Sequence, residues 1–96
     1  MNLEALTEKY IASAETILAT LQPAHNQPQT VTPQKIINLI DHAKNYLQDA
    51  KYYKNQKNLE VSLTSIAYCE GILDALKLIG AVNFKWPTNP PKKPPF

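Results

Sequence analysis

Apolar residues recur at alternating steps of three and four along most of this chain, and that spacing places them on one face of an α-helix. Two polar breaks interrupt the pattern, PAHNQPQTVT at residues 23–32 and KNQKN at residues 54–58. The pattern therefore predicts three amphipathic helices and an all-α fold.

The first helix is predicted over about residues 2–21, because Pro23 disfavours helical geometry in the residue before it. The second is predicted over about residues 33–54. Thr32 can cap its first turn, and Pro33 suits the first helical position because its missing N–H would have no partner there.

The third helix is predicted over about residues 59–79. Asn58 is a suitable residue for its N-terminal cap, and Gly80 stands where a left-handed C-terminal cap is needed. The three apolar stripes are Leu3, Leu6, Tyr10, Ala14, Ile17 and Leu21; Ile36, Ile40, Ala43, Leu47 and Ala50; and Leu59, Leu63, Ile66, Cys69, Leu73 and Leu76.

Helices of about 20 residues are each roughly 30 Å long and can lie side by side. The short break before the third helix requires an antiparallel hairpin, whereas the longer loop before the second restricts the first helix less. We expect one domain over residues 1–83, an antiparallel three-helix up-down-up bundle, followed by a proline-rich C-terminal tail over residues 84–96.

Charge and cysteine content narrow the classes of function. The chain carries a formal charge of +2 from ten lysines, no arginine and eight acids, which disfavours nucleic-acid binding. The lone Cys69 cannot form an internal disulfide, and no apolar run is long enough for a membrane span. We expect a soluble cytoplasmic protein without a membrane partner.

The second and third helices carry a recognisable set of residues within the segment 43–80. Its members are Tyr46, Asp49, Ala50, Tyr52, Tyr53, Tyr68, Gly71, Leu73, Asp74 and Ala75. In this arrangement the segment resembles the archaeal family called domain of unknown function 357. The resemblance implies a small antiparallel helical bundle, an archaeal source and an accessory association with nucleotidyltransferase-like proteins, but no established activity.

The third helix contains a glycine and two carboxylates close together, Gly71, Glu70 and Asp74. The question is whether these residues serve helix packing or a chemical function. Glycine costs a helix about 1 kcal/mol relative to alanine, so a compensating gain is expected. We favour close approach of a facing helix over a notch that admits a ligand. Small residues on the helices would share that seam: Ala43, Ala50, Ala67 and Ala75.

Glu70 and Asp74 share a helix face, where like charges repel. Lys77 and the hydroxyls of Tyr10, Tyr46 and Tyr53 are candidate partners that would relieve this repulsion. We favour a structural role in which tyrosine hydroxyls hold a buried Asp74, with an acid–base or metal site as the rival, but the sequence alone does not decide whether Asp74 is buried. Neither His25 nor His42 supplies the Glu-x-x-His pair of a di-metal bundle. Cys69 is most simply a buried small hydrophobe. No catalytic residue, metal or cofactor is therefore predicted.

Lys51, Lys54 and Lys57 gather near the end of the second helix. Favourable interaction with the helix macrodipole is the simpler explanation, and an RNA or acidic-partner patch is the alternative.

Around the start of the tail, the apolar residues Val82, Phe84 and Trp86 alternate with polar ones before a Pro-x-x-Pro spacing at Pro87 and Pro90. Docking on the bundle, disorder and partner recognition all remain open for this segment.

These observations favour a non-enzymatic module that binds a protein partner or associates with itself. An accessory or small-molecule-binding domain of a nucleotidyltransferase-like enzyme, with a pocket among Tyr46, Tyr53, Tyr68, Glu70, Gly71 and Asp74, is the alternative. Weak nucleic-acid binding through the lysines is a third hypothesis.

Overall fold

The computed structural model describes residues 2–24 and 31–87, which hold three helices and no strand. Their bounds are α1 over Leu3–Thr20, α2 over Pro33–Asn55 and α3 over Leu59–Leu78. Each end lies within one residue of its predicted position, so the all-α, three-helix prediction is confirmed. The up-down-up order and the tail beyond residue 87 stay predictions.

The chain divides into two compact units, the first holding α1 and the second holding α2 and α3. In the first unit, the Ala5 N–H donates to Asn2 Oδ1 at 2.7 Å and caps the helix. No residue of α1 is buried, and its stripe residues Tyr10 and Ile17 are 61% and 58% exposed. Local capping and helix propensity therefore account for α1 within its unit.

In the second unit, α2 begins as predicted, with the Lys35 N–H donating to Thr32 Oγ1 at 3.2 Å. The turn after α2 places Lys57 at φ 61°, and the Asn58 N–H donates to the Tyr53 carbonyl at 2.9 Å. A lysine therefore occupies a left-handed position that glycine or asparagine normally fills.

Asn58 does occupy the N-terminal cap position of α3, but its side chain makes no capping hydrogen bond. The predicted N-cap residue is therefore confirmed, and only a side-chain hydrogen bond is missing from this cap. At the other end Gly80 has φ 77°, and the Ala81 N–H donates to the Leu76 carbonyl at 2.9 Å. The predicted left-handed glycine cap is confirmed.

The core lies between α2 and α3 and is built mostly of small side chains. Its buried residues are Ala43, Ala50, Ser65, Cys69 and Leu76. Leu76, at 1% exposure, is the largest of them. Small residues at a helix interface allow the two backbones to approach closely.

Two contacts across the hairpin set its register. The Ser62 hydroxyl donates to the Ala50 carbonyl at 2.7 Å, and the Tyr46 and Tyr68 rings stack with centroids 5.0 Å apart. Residues nearer the start of α2 therefore contact residues further along α3, as expected for an antiparallel helical hairpin closed by a short turn.

Candidate functional site

An open apolar groove runs along one side of the α2–α3 hairpin and encloses about 590 Å³. We call it the Gly71 groove. Its lining includes Leu39 of α2, the α3 residues Ala67, Tyr68, Gly71 and Ala75, and Ile79 at the C-terminal cap of α3. The α3 contributions repeat every four residues or so, about 6 Å apart along the helix axis, so they form a continuous strip.

Gly71 forms a notch in this strip and not a packing seam. A Cβ built on Gly71 would meet no other side chain or neighbouring backbone within 4 Å, and Ala67 and Ala75 are exposed. The prediction of a close-packed seam was correct for Ala43 and Ala50, which are buried, but wrong for Gly71, Ala67 and Ala75. These three positions belong to the other side of α3, which faces the groove.

A second, more polar pocket of about 410 Å³ adjoins the groove, and we call it the acidic pocket. It is lined by Glu70, Gly71, Asp74 and Trp86. The Trp86 indole Nε1–H donates to Asp74 Oδ1 across 3.4 Å. Because Gly71 lines both spaces, the apolar groove and the acidic pocket form one continuous surface.

The environment of Asp74 differs from the expectation. Asp74 is exposed, and its hydrogen-bond partner is Trp86 and not a tyrosine hydroxyl. The Lys77 ammonium lies 5.1 Å from the centroid of the Phe84 ring. The hypothesis of a buried Asp74 held by tyrosines or Lys77 was wrong, because the segment after α3 returns along the helix and supplies the partner instead.

The tyrosines named from the sequence pair with one another. Tyr46 stacks on Tyr68 with an interplanar angle of 17°, and Tyr52 meets Tyr53 edge to face with centroids 5.1 Å apart. Tyr68 lines the Gly71 groove, whereas Tyr53 is half-buried elsewhere on the hairpin. Of the tyrosines proposed for the pocket, the structure thus brings only Tyr68 to the groove lining.

Residues 82–87 alternate in exposure, as an extended segment lying on a surface does. Val82, Phe84 and Trp86 are half-buried, and the residues between them are exposed. The Phe84 and Trp86 rings meet edge to face with centroids 4.9 Å apart. These contacts agree with docking of the tail as far as Trp86; Pro87 is exposed, and Pro90 lies outside the described residues.

The predicted lysine cluster is divided. Lys51 and Lys54 line a pocket of about 360 Å³ together with Leu47 and Ile66, while Lys57 lies in the turn after α2. The three lysines therefore do not form one basic patch, and weak nucleic-acid binding stays the third hypothesis, which the charge of the chain disfavours.

Cys69 is buried, and its environment suppresses thiolate chemistry. Burial raises the pKa of the Cys69 thiol above its ordinary value, and the negative charge of Glu70 raises it further. Among the described residues no group of three or more histidine, cysteine and acidic side chains is placed to hold a metal ion. His42 is exposed, and His25 lies outside the described residues.

Sequence reasoning missed Leu39, Ile79 and the Lys77–Phe84 contact. Leu39 and Ile79 lie beside the predicted stripes, and a wider apolar arc on α2 and α3 was the only signal for them. The partner of Lys77 depends on the path of the chain after Gly80, which no helical periodicity describes.

A family model described as "Protein of unknown function (DUF357)" matches residues 9–82. The match covers all of α2 and α3 and most of α1. No curated protein and no solved structure matches the chain. None of the helices within the described ranges is long and apolar enough to cross a membrane.

Proposed function

The chain belongs to the DUF357 family of proteins of unknown function, and we propose that it is a non-enzymatic interaction module whose Gly71 groove receives a helix of a protein partner. The open notch at Gly71 is the observation that carries this proposal. An apolar groove with a small-residue floor suits an amphipathic helix, because the partner's larger side chains can enter where a Cβ is missing.

Exposure of apolar side chains around the groove supports the same function. Tyr68 is 56% exposed, Leu39 38% and Ile79 60%, and all three border one surface. Contiguous apolar surface on a small domain commonly marks a binding site, whereas single exposed apolar residues do not. A second copy of the chain would also count as a protein partner.

A photo-crosslinking amino acid placed at Ala75, inside the groove, tests this function in cells of the source organism. The matched control carries the same amino acid at Asn45, an exposed position of α2 that lines none of the three pockets. We expect one protein to be captured from position 75 and not from position 45. Adding Gly71→Leu, which fills the notch, should abolish that capture.

Three results would contradict the proposal. They are the same proteins captured from both positions, no protein captured from position 75, and capture that Gly71→Leu leaves unchanged. Circular dichroism of each variant shows whether the helices are retained. Because a Cβ at position 71 would meet no neighbouring atom within 4 Å, we expect Gly71→Leu to remain folded.

Binding of a small molecule in the acidic pocket is a second candidate, favoured by the adjoining space of about 410 Å³ beside Gly71. This candidate would place the chain as an accessory domain of a nucleotidyltransferase-like enzyme, as the resemblance implies. Thermal shift with nucleosides, which carry no phosphate for the pocket carboxylates to repel, tests it: stabilisation lost in Trp86→Ala supports it, and no shift with any of them opposes it.

The proposal extends to a cytoplasmic location in an archaeal cell. The lone Cys69 supports a reducing compartment, and the archaeal source is what the family resemblance implies. Fractionation of source cells with an antibody to the chain tests the location.

A further inference from the structure

The acidic pocket places charged side chains beside the apolar Gly71 groove. These charges narrow the chemistry of the partner helix that the groove can bind. Gly71 lines both spaces, so a helix lying in the groove would pass beside Glu70 and Asp74. Lys77, three residues after Asp74, lies against the Phe84 ring, with its ammonium 5.1 Å from the ring centroid. Glu70 and Asp74 are both exposed and four residues apart on α3, where like charges repel each other and a basic group placed between them is favoured.

Trp86 adds a second attraction for a cation at the same place. Its indole borders the pocket and is held by the hydrogen bond to Asp74 and by edge-to-face contact with Phe84. An ammonium or guanidinium group near a tryptophan ring is attracted to its face, and Trp is the strongest of the aromatic side chains in this respect. Two carboxylates and an indole together favour a basic side chain.

We infer that the partner of the Gly71 groove is an amphipathic helix that carries a lysine or arginine beside its apolar stripe, with that basic group seated in the acidic pocket. This inference rests on the proposed function. The groove lining extends from Thr64 to Ile79, roughly 22 Å along α3, which corresponds to about four turns of a partner helix. The basic residue would lie near the middle of that length, opposite Gly71.

Two synthetic helical peptides of about 18 residues, long enough to span the groove, test this inference. They share one leucine stripe and differ only at a position beside it, which is lysine in one peptide and glutamate in the other. Each is titrated into the full chain by calorimetry, with Trp86 emission as a second signal. We expect the lysine peptide to bind roughly tenfold more tightly than the glutamate peptide.

Variants of the chain separate the pocket from the groove. Glu70→Gln combined with Asp74→Asn removes both charges, while the side-chain amide oxygen introduced at position 74 still offers an acceptor to Trp86. We expect this double variant to bring the two peptide affinities within about twofold. Glu60→Gln, on the same helix but outside the pocket, is the matched control and should preserve the roughly tenfold preference.

The outcomes distinguish the inference from the proposed function. Equal binding of both peptides that Gly71→Leu abolishes would overturn the basic-residue inference and leave the groove as a helix-binding site. No binding of either peptide, or binding that Gly71→Leu does not affect, would contradict the groove and the inference together. If Glu60→Gln reduced the preference for the lysine peptide as much as the double variant does, the preference would be an effect of net charge and the inference would be overturned.

Discussion

Trp86 and Asp74 are joined across the surface of α3: the indole Nε1–H donates to the Oδ1 atom of the carboxylate over 3.4 Å. Because of this contact, the segment after Gly80 runs back along α3, and the tryptophan lies beside the notch at Gly71. A residue outside the helices thereby becomes part of the candidate site.

Because Trp86 is the sole tryptophan, its fluorescence reports directly on that contact. Asp74→Ala removes the acceptor, so we expect the emission maximum to shift to the red as the indole becomes more solvated. Asp74→Asn keeps an acceptor oxygen and should leave the maximum close to that of the unaltered protein. The unfolding free energy should fall by no more than about 1 kcal/mol in either variant. Identical spectra for all three proteins would contradict docking of Trp86.

Gly71→Ala should stabilise the protein by about 0.5–1 kcal/mol, because alanine is the better helix former and its Cβ would enter open space. The matched control is Gly80→Ala, which places a side chain at φ 77° and should cost roughly 1 kcal/mol. Urea denaturation of both variants measures these changes. If Gly71→Ala destabilised the protein, Gly71 would instead lie in a close-packed helix interface.

Leu76→Ala and Leu78→Ala test where the core lies. Leu76 is 1% exposed and Leu78 is 79% exposed, although both belong to the last turns of α3. We expect Leu76→Ala to cost about 2–5 kcal/mol through lost burial and a residual cavity, and Leu78→Ala to change stability by less than about 0.5 kcal/mol. Equal losses measured by urea denaturation would contradict this assignment.

The position of α3 follows closely from its sequence, but the role of each of its faces does not. Its apolar stripe predicted burial of Cys69 and Leu76, which are buried, but also of Leu59 and Leu63, which are 62% and 69% exposed. Gly71, in contrast, carries the same helical signal whether its missing Cβ accommodates a neighbouring helix or leaves an opening. Hydrophobic periodicity predicts which residues share a helix face. What covers that face depends on the path of the surrounding chain, which the periodicity does not predict.

The same limit explains the error at Asp74. Residues three or four apart on a helix are visible in the sequence, so Lys77 was a reasonable partner. The competing contacts, Trp86 with Asp74 and Phe84 with Lys77, depend on an extended segment that turns back after Gly80. Such a return has no short-range periodic signal, so the site could be predicted only as a list of helix residues without the tryptophan that borders it.

Cys69 should react slowly with a neutral alkylating reagent. Its reaction rate should continue to increase at pH values where the rate of an exposed thiol has already reached its plateau. The physical reason is the raised pKa of the thiol, caused first by burial and then by the charge of Glu70. The folded state therefore holds the thiol proton more tightly than the unfolded state does. Its contribution to stability is complete below about pH 9, the ordinary value, and is lost as pH rises through the folded pKa.

A Cys69→Ala variant carrying Asn45→Cys supplies the exposed thiol for comparison, since Asn45 is exposed on α2. If Cys69 and that reference thiol showed the same rates and the same pH midpoint, Cys69 would not be in the buried environment described for it. A pH-dependent loss of stability that Cys69→Ala fails to remove would assign the loss to another group.

The most direct test of the open groove is the reactivity of a thiol at the notch, measured in Cys69→Ala combined with Gly71→Cys. The reagent is iodoacetamide, which is uncharged and so is not repelled by Glu70 or Asp74, and the reference is Cys69→Ala with Asn45→Cys. An open notch predicts that the two thiols of the folded proteins react at rates of the same order of magnitude. A thiol at position 71 that reacts slower by about two orders of magnitude, and recovers only in urea, would contradict an accessible Gly71 groove.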